Sequence, residues 1–124
     1  MTDYSDLIAR AHKLARPIYP SDSCQAGTVG AVIMSASGNA YTGICLDFQC
    51  SLGFCAEHAA IAEMLKHRES HIAHVVAVSH EREVLPPCGR CREMMWQLDG
   101  NNKSALVILG ERKAKPLSEL LPFR

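Results

Sequence analysis

The sequence predicts an α/β fold in which helices cover both faces of one sheet, and three observations carry that prediction. Short β-branched apolar runs alternate with stretches of helical periodicity, and from residue 55 onward the order is helix, strand, helix, strand, which favours parallel pairing. The segment 72–78, Ile-Ala-His-Val-Val-Ala-Val, is a nearly unbroken apolar run of the kind buried on both sides. The chain has 124 residues, 48% hydrophobic and 21% charged, the size and composition of one soluble domain, so residues 1–124 are read as a single domain.

The elements follow in order. A first helix fits 5–16, where Leu7, Ile8, Ala11, Leu14 and Ala15 recur at helical spacing until Pro17 forbids continuation. Residues 29–34 and 41–46 read as strands of a hairpin, joined across 35–39 with Gly38-Asn39 as the turn. A second helix runs from about Cys55 to about His67, a strand covers 72–78, and a third helix spans about 89–98. A further strand at 105–109 and a short helix at 117–121 complete the chain.

Composition excludes several classes. Thirteen basic residues balance thirteen acidic ones, leaving no global excess of positive charge to hold a phosphate backbone, so a nucleic-acid polymer is not an expected partner. No apolar run approaches the roughly 20 residues that span a bilayer, and residues 1–20 lack the pattern of a signal peptide, so the expectation is a cytoplasmic protein with no membrane partner. Six cysteines in a reducing compartment then need a reason other than disulfides. Cys24, Cys45 and Cys50 read as small buried residues. His67, His71, His74 and His80 read as a solvated helix end and strand flanks, and Met94, Met95 and Trp96 as core or subunit contact.

Chemistry concentrates in Cys55-Ala56-Glu57 and Pro87-Cys88-Gly89-Arg90-Cys91. Each segment sets thiols at or near the first turn of an expected helix, where free N–H groups and the macrodipole favour a thiolate. Three such sulfurs can hold Zn²⁺ and leave its fourth position open, the mark of a catalytic site. Glu57, Ala60, Ile61 and Met64 fall at i, i+3, i+4 and i+7, so the carboxylate lies on the apolar stripe, where its pKa should rise and suit it to shuttling protons. The same count puts Cys91, Met94, Met95 and Leu98 on one inward face of the third helix.

At these residues the chain resembles the zinc-dependent cytidine deaminase superfamily, whose pattern is a His or Cys, one residue, Glu, then Pro-Cys-x-x-Cys. Val29-Gly30-Ala31 with the hairpin, Thr42-Gly43, and Glu119-Leu120-Leu121-Pro122 look like the small homotetrameric members. The run from Pro86 to Arg92 looks closest to blasticidin S deaminases. The resemblance implies a three-layer α/β/α sandwich around a single mixed sheet of about five strands, assembled as a homotetramer. It implies zinc held by Cys55, Cys88 and Cys91, making hydroxide available near neutral pH to attack the amine-bearing ring carbon. Glu57 would then carry the proton to the ring nitrogen and on to the departing amine. Cys45, Asp47, Ala56 and Pro87 would contact the substrate, and His58, Arg90 or Arg92 would offset the charge of three thiolates on zinc.

Three positions depart from that family. Cys45-Leu46-Asp47 stands where cytidine deaminases carry the Asn-x-Glu that grips ribose, Gly27 where an aromatic residue precedes the Val-Gly-Ala strand, and His58 where an Arg often follows Cys-Ala-Glu. The expected function is hydrolytic release of ammonia from a cytosine-like nucleoside or nucleoside antibiotic. Its alternatives are a guanine-type or pterin substrate, a non-catalytic zinc protein that binds a ligand, or a thiol redox protein using Cys88 and Cys91. Phe48, Phe54 and Phe123 are candidates for walls of a substrate pocket, and Arg10, Lys13 and Arg16 form a basic, solvated helix face.

Overall fold

The computed structural model describes residues 2–123; Met1 and Arg124, the two ends of the expected domain, lie outside the described residues. Helix α1 (Ser5–Leu14) stops short of residue 16 because Ala15 has already left helical geometry (φ −80°, ψ 80°) and the residue before Pro17 is pushed out of the α region. Strands β1 (Ile18–Ser21), β2 (Cys24–Ser35) and β3 (Ala40–Phe48) form an antiparallel ribbon. Gly38 turns between the last two at φ +88°. At twelve residues, β2 is twice the length that alternation suggests, because a bulge between Ala26 and Gly30 breaks the period. That bulge requires glycine: Gly27 has φ +81°, and a Cβ there would stand 2.3 Å from the Arg16 carbonyl oxygen.

The rest of the chain runs α2 (Ala56–Lys66), β4 (Ile72–Ser79), β5 (Val84–Leu85), α3 (Gly89–Leu98), β6 (Leu106–Gly110), β7 (Lys113–Pro116) and α4 (Leu117–Leu120). The sheet order is β1-β2-β4-β6-β7, with β3 on β2 and β5 on β4, and the β4–β6 pair is parallel while the others are antiparallel. This is the expected α/β/α sandwich on a mixed sheet. It has seven strands because β1, β5 and β7 add two to four residues each, too few to show a period in sequence.

Strict alternation divides the sheet's side chains between two layers. Val32, Val76, Val78 and Ile108 face α1 and pack with Ala11 and Tyr4. Ile33, Val75 and Val107 face α2, α3 and α4 and pack with Ala60, Ile61, Met64, Met95 and Leu117. Further along this second face the residues become small: Ala31, Cys45 and Ala77 meet Ala56. Large side chains fill the layer at one end and small ones leave a hollow at the other.

Candidate active site

Two helix N-termini meet at the hollow. Cys55 is the N-cap of α2 and Cys88 the N-cap of α3, both extended (φ −73°, ψ 158° and φ −67°, ψ 167°), and neither side chain caps its own helix. Their thiols turn to each other instead: Sγ of Cys55 lies 3.5 Å from Sγ of Cys88, which lies 3.4 Å from Sγ of Cys91 in the first turn of α3. All three are free cysteines. Backbone packing sets their approach. Gly43 of β3 lets α2 sit so close that a Cβ there would fall 2.5 Å from the Ala56 carbonyl oxygen and 2.6 Å from the Ala59 Cβ. Asn102, fully buried, ties α3 to the sheet: its Nδ2 donates to the carbonyls of Ser70 and Met95, both at 3.0 Å, and its Oδ1 accepts from the Ile72 N–H at 2.7 Å. Arg92 pins the segment before α3 by donating to the Pro87 carbonyl at 2.8 Å and to the Leu120 carbonyl at 3.2 Å.

Glu57 takes the buried side of α2 with Ala60, Ile61 and Met64, at 4% exposure. Burial pushes its carboxyl pKa up, against hydrogen bonds from its own N–H and the Cys91 thiol. Burial and then the Cys88 contact push Cys55 up to about 11, and burial followed by the charge of Glu57 raises Cys91 further. At Cys88 burial acts in the same sense but is outweighed. Hydrogen bonds from the N–H groups of Cys91 and Arg90 and from the other two thiols lower its pKa. Cys88 is therefore the first thiolate of the trio.

His58, one residue beyond Glu57, is 8% exposed, and its Nε2 is buried without a hydrogen-bond partner. Burial, then the charge of Arg90, lowers its pKa, favouring neutral imidazole. The potential ligand atoms of Cys55, His58 and Cys91 lie within 4.8 Å of one another, a Cys-His-Cys cluster of zinc-binding type, and Cys88 adjoins both cysteines. Zinc bonded to sulfur at about 2.3 Å holds its sulfurs about 3.8 Å apart in a tetrahedron, close to the spacing found here. The donor set therefore fits the ion.

Cys55, Cys88 and Glu57 line a cavity of about 540 Å³. Thr28, Val29, Cys45 and Ala77 make its floor, Phe54, Leu85 and Pro86 stand as walls, and Asp47, Phe48 and Arg90 lie toward solvent. Thr28 Oγ1 and Cys45 Sγ are 3.1 Å apart and satisfy each other. Of the expected contacts, Cys45, Asp47 and Ala56 line the cavity; Pro87 is buried away from it, with Pro86 in the wall. Arg90 reaches the cavity, whereas Arg92 is engaged with backbone carbonyls. Phe123 is 99% exposed and outside the cavity, and Gly27 serves the bulge, leaving Thr28 and Val29 in the lining. Cys50 is exposed rather than buried, because it sits at φ +60° in a turn after β3. His67 and His74 lie against Tyr41 and Tyr4, outside the thiol cluster. His58, expected from the sequence only to offset charge, stands among the possible donors, and Cys55-x-x-His58 repeats the spacing of Cys88-x-x-Cys91.

The family model for the cytidine and deoxycytidylate deaminase zinc-binding region matches residues 1–107. A cytidine deaminase from Shewanella woodyi is 33% identical over 101 residues, 77% of this chain and 31% of that one; another from Halalkalibacterium halodurans is 26% identical over 98 residues, covering 76% and 74%. The chain thus spans less than a third of the first relative and about three quarters of the second. The crystal structure of cytidine deaminase from Mycobacterium tuberculosis superposes with a TM-score of 0.80 at 26% identity, covering 99% of this chain and 97% of that one.

Proposed function

The chain belongs to the family defined by the cytidine and deoxycytidylate deaminase zinc-binding region, and from that premise we propose that it is a zinc-dependent aminohydrolase releasing ammonia from the exocyclic amine of a cytosine-like ring. One observation carries the reading: three thiols lie within 3.5 Å of their neighbours beside a buried carboxyl, and Cys55, Cys88 and Glu57 among them line a cavity large enough for a nucleoside. Cys55, Cys88 and Cys91 would hold the zinc, which would supply Lewis acidity that brings the ionisation of water toward neutral pH.

The chain's own residues perform the remaining tasks. Glu57, its pKa raised by burial, takes a proton from water, gives it to the ring nitrogen, and delivers a proton to the departing amine. The converging N-termini of α2 and α3 place positive dipole ends on the side of the thiolates and help offset their charge. Phe54, Leu85 and Pro86 contribute apolar surface to the cavity, against which a ring can pack with water excluded. Asp47 accepts from hydroxyl or amino groups carried by the ring's substituent.

The substrates we propose are cytidine, deoxycytidine or the blasticidin S class, the last supported by Gly89-Arg90 between the paired cysteines. A homotetramer in the cytoplasm is the accompanying proposal, with sedimentation as its check. Among the described residues no helix is long and apolar enough to cross a membrane. The test is ammonia release by zinc-loaded protein from cytosine, cytidine, deoxycytidine, blasticidin S, adenosine, guanine and aminopterins. Glu57→Gln should keep zinc and lose turnover by several orders of magnitude. Equal activity of this variant, or silence across the panel at full zinc content, counts against the assignment. Release from guanine or the aminopterins alone moves the substrate class and leaves the chemistry.

A further inference from the structure

The chemistry proposed above occupies the thiols and Glu57 and leaves the mouth of the cavity to the part of the substrate that does not react. Besides Glu57, the charged residues that line the cavity are one carboxylate, Asp47, and one guanidinium, Arg90. Strand β3 sets the first: Gly43, Cys45 and Asp47 alternate onto the face that meets α2, so Asp47 stands about 7 Å along the strand from the buried Cys45, at the solvent side. Helix α3 sets the second, because Arg90 follows the Cys88 N-cap by two positions. Among the described residues neither of these side chains has a hydrogen bond or an ion pair, with the other or with any neighbour. Arg92, by contrast, is engaged by two backbone carbonyls. The rest of the polar lining outside the thiols adds no charge, since Thr28 and Cys45 satisfy each other and Ser51 is neutral.

A charge that faces water carries no penalty, but a substrate that fills the cavity strips water from part of both groups, and each then needs a partner. A purely anionic substituent meets Arg90 and is repelled by Asp47, and a purely cationic one meets Asp47 and is repelled by Arg90. A substituent that carries both signs answers both. We propose that Asp47 and Arg90 select a ring substituent of that kind, with an ammonium or guanidinium paired to Asp47 and a carboxylate or phosphate paired to Arg90. The planar guanidinium of Arg90 can take two oxygens of such an anion at once. The inference rests on the deaminase reading above and narrows its substrate to a doubly charged amino-heterocycle, ahead of neutral nucleosides.

Calorimetric titration of zinc-loaded Glu57→Gln, in which the compounds should stay unreacted, tests the proposal. The series is cytidine, cytidine 5′-monophosphate, 5′-amino-5′-deoxycytidine, cytidine 5′-(2-aminoethyl phosphate) and blasticidin S, of which the last two carry both signs. An exposed ion pair is worth up to about fivefold in affinity, so at least one of those two should bind on the order of tenfold tighter than cytidine and tighter than either singly charged compound. Adding Asp47→Asn should weaken the aminodeoxycytidine at least about threefold more than the monophosphate, and Arg90→Gln should do the reverse. Tightest binding by a neutral or singly charged compound, or equal binding by all, overturns the proposal. So does an Arg90→Gln loss of the same factor for every compound, the signature of an arginine that serves the thiolates instead. The order of kcat/KM in wild type repeats the comparison without any variant. Deamination by wild type also separates the two readings. Ammonia from cytidine with no advantage for the doubly charged compounds removes the selection and keeps the deaminase, whereas the expected order of binding without ammonia from any compound keeps the selection and removes the deaminase.

Discussion

Gly43→Ala and Gly89→Ala are two single-methyl additions beside the same centre for which the structure dictates opposite outcomes. At Gly43 the new Cβ would lie 2.5 Å from the Ala56 oxygen, 2.6 Å from the Ala59 Cβ and 2.7 Å from the Ala60 nitrogen, two of the three being backbone atoms that cannot rotate away. Reaching an ordinary contact of 3.4 Å moves the start of α2 by roughly 0.9 Å relative to β3. Cys55, Ala56 and Glu57 ride on that segment. A displacement near 1 Å at reacting groups costs on the order of 100-fold in rate, and overpacking costs about 1–3 kcal/mol of stability. At Gly89, between Cys88 and Cys91 in sequence, an added Cβ meets nothing within 4 Å, and alanine is the better helix former by up to about 1 kcal/mol. The measurements are kcat/KM on the best panel substrate, zinc per chain and the urea midpoint, for both variants and wild type. Gly43→Ala with wild-type turnover and midpoint, or Gly89→Ala as damaging as Gly43→Ala, would refute the claim that the β3–α2 approach sets the site.

Three further outcomes follow. Zinc uptake must displace protons from Cys55, held at about 11, and from Cys91, raised further, so apparent affinity should climb by about tenfold per pH unit for each proton released, at least about 100-fold per unit between pH 6 and 8 for these two. Calorimetry in two buffers of different ionisation enthalpy counts those protons, and a count near zero contradicts the assignment. Asn102→Asp keeps the acceptor for the Ile72 N–H but turns an oxygen toward the carbonyls of Ser70 and Met95, so it should cost roughly 2–4 kcal/mol in urea unfolding, and a loss under about 0.5 kcal/mol contradicts that role. The hydrogen bond from the Tyr41 hydroxyl, then that from Asn39, holds Glu69 at about 2, below its unfolded value near 4.3; the stabilisation is therefore present above about pH 4.3 and lost as pH falls toward 2. Urea midpoints measured down the acid range should show that loss in wild type and not in Glu69→Gln.

What the sequence conveyed and what it hid divide along range of interaction. Helical periodicity located α2 and α3 because each buries one face, and apolar runs located β4 and the β2–β3 hairpin because the central strands bury residues in both layers. It could not show β1, β5 or β7, whose two to four residues are ordered by their neighbours. Glu57 was legible as a carboxylate on an apolar stripe, and the cysteines as donors at helix starts. Pro86 rather than Pro87 in the wall, and the Thr28–Cys45 bond in the floor, depend on strand register and chain direction after β5, which no local pattern encodes. The closeness of His58 to the sulfurs of Cys55 and Cys91 is likewise a matter of how α2 meets α3, whose thiols lie 33 residues away in sequence.

The contact between Cys55 and Cys88 spans 33 residues, and within that span lie α2, β4 and β5. An ion gripping both ends ties off a loop that the unfolded chain would otherwise be free to explore. For a loop of this length the chain-entropy model gives a cross-link worth about 3–5 kcal/mol, a large share of the 5–15 kcal/mol that holds an ordinary domain together. With zinc bound there, the proposed centre is also a clasp on the middle of the sheet. A substitution or chelator that empties it should loosen β4 as well as abolish any zinc chemistry, so hydrogen-exchange protection in β4 and zinc content should fall together.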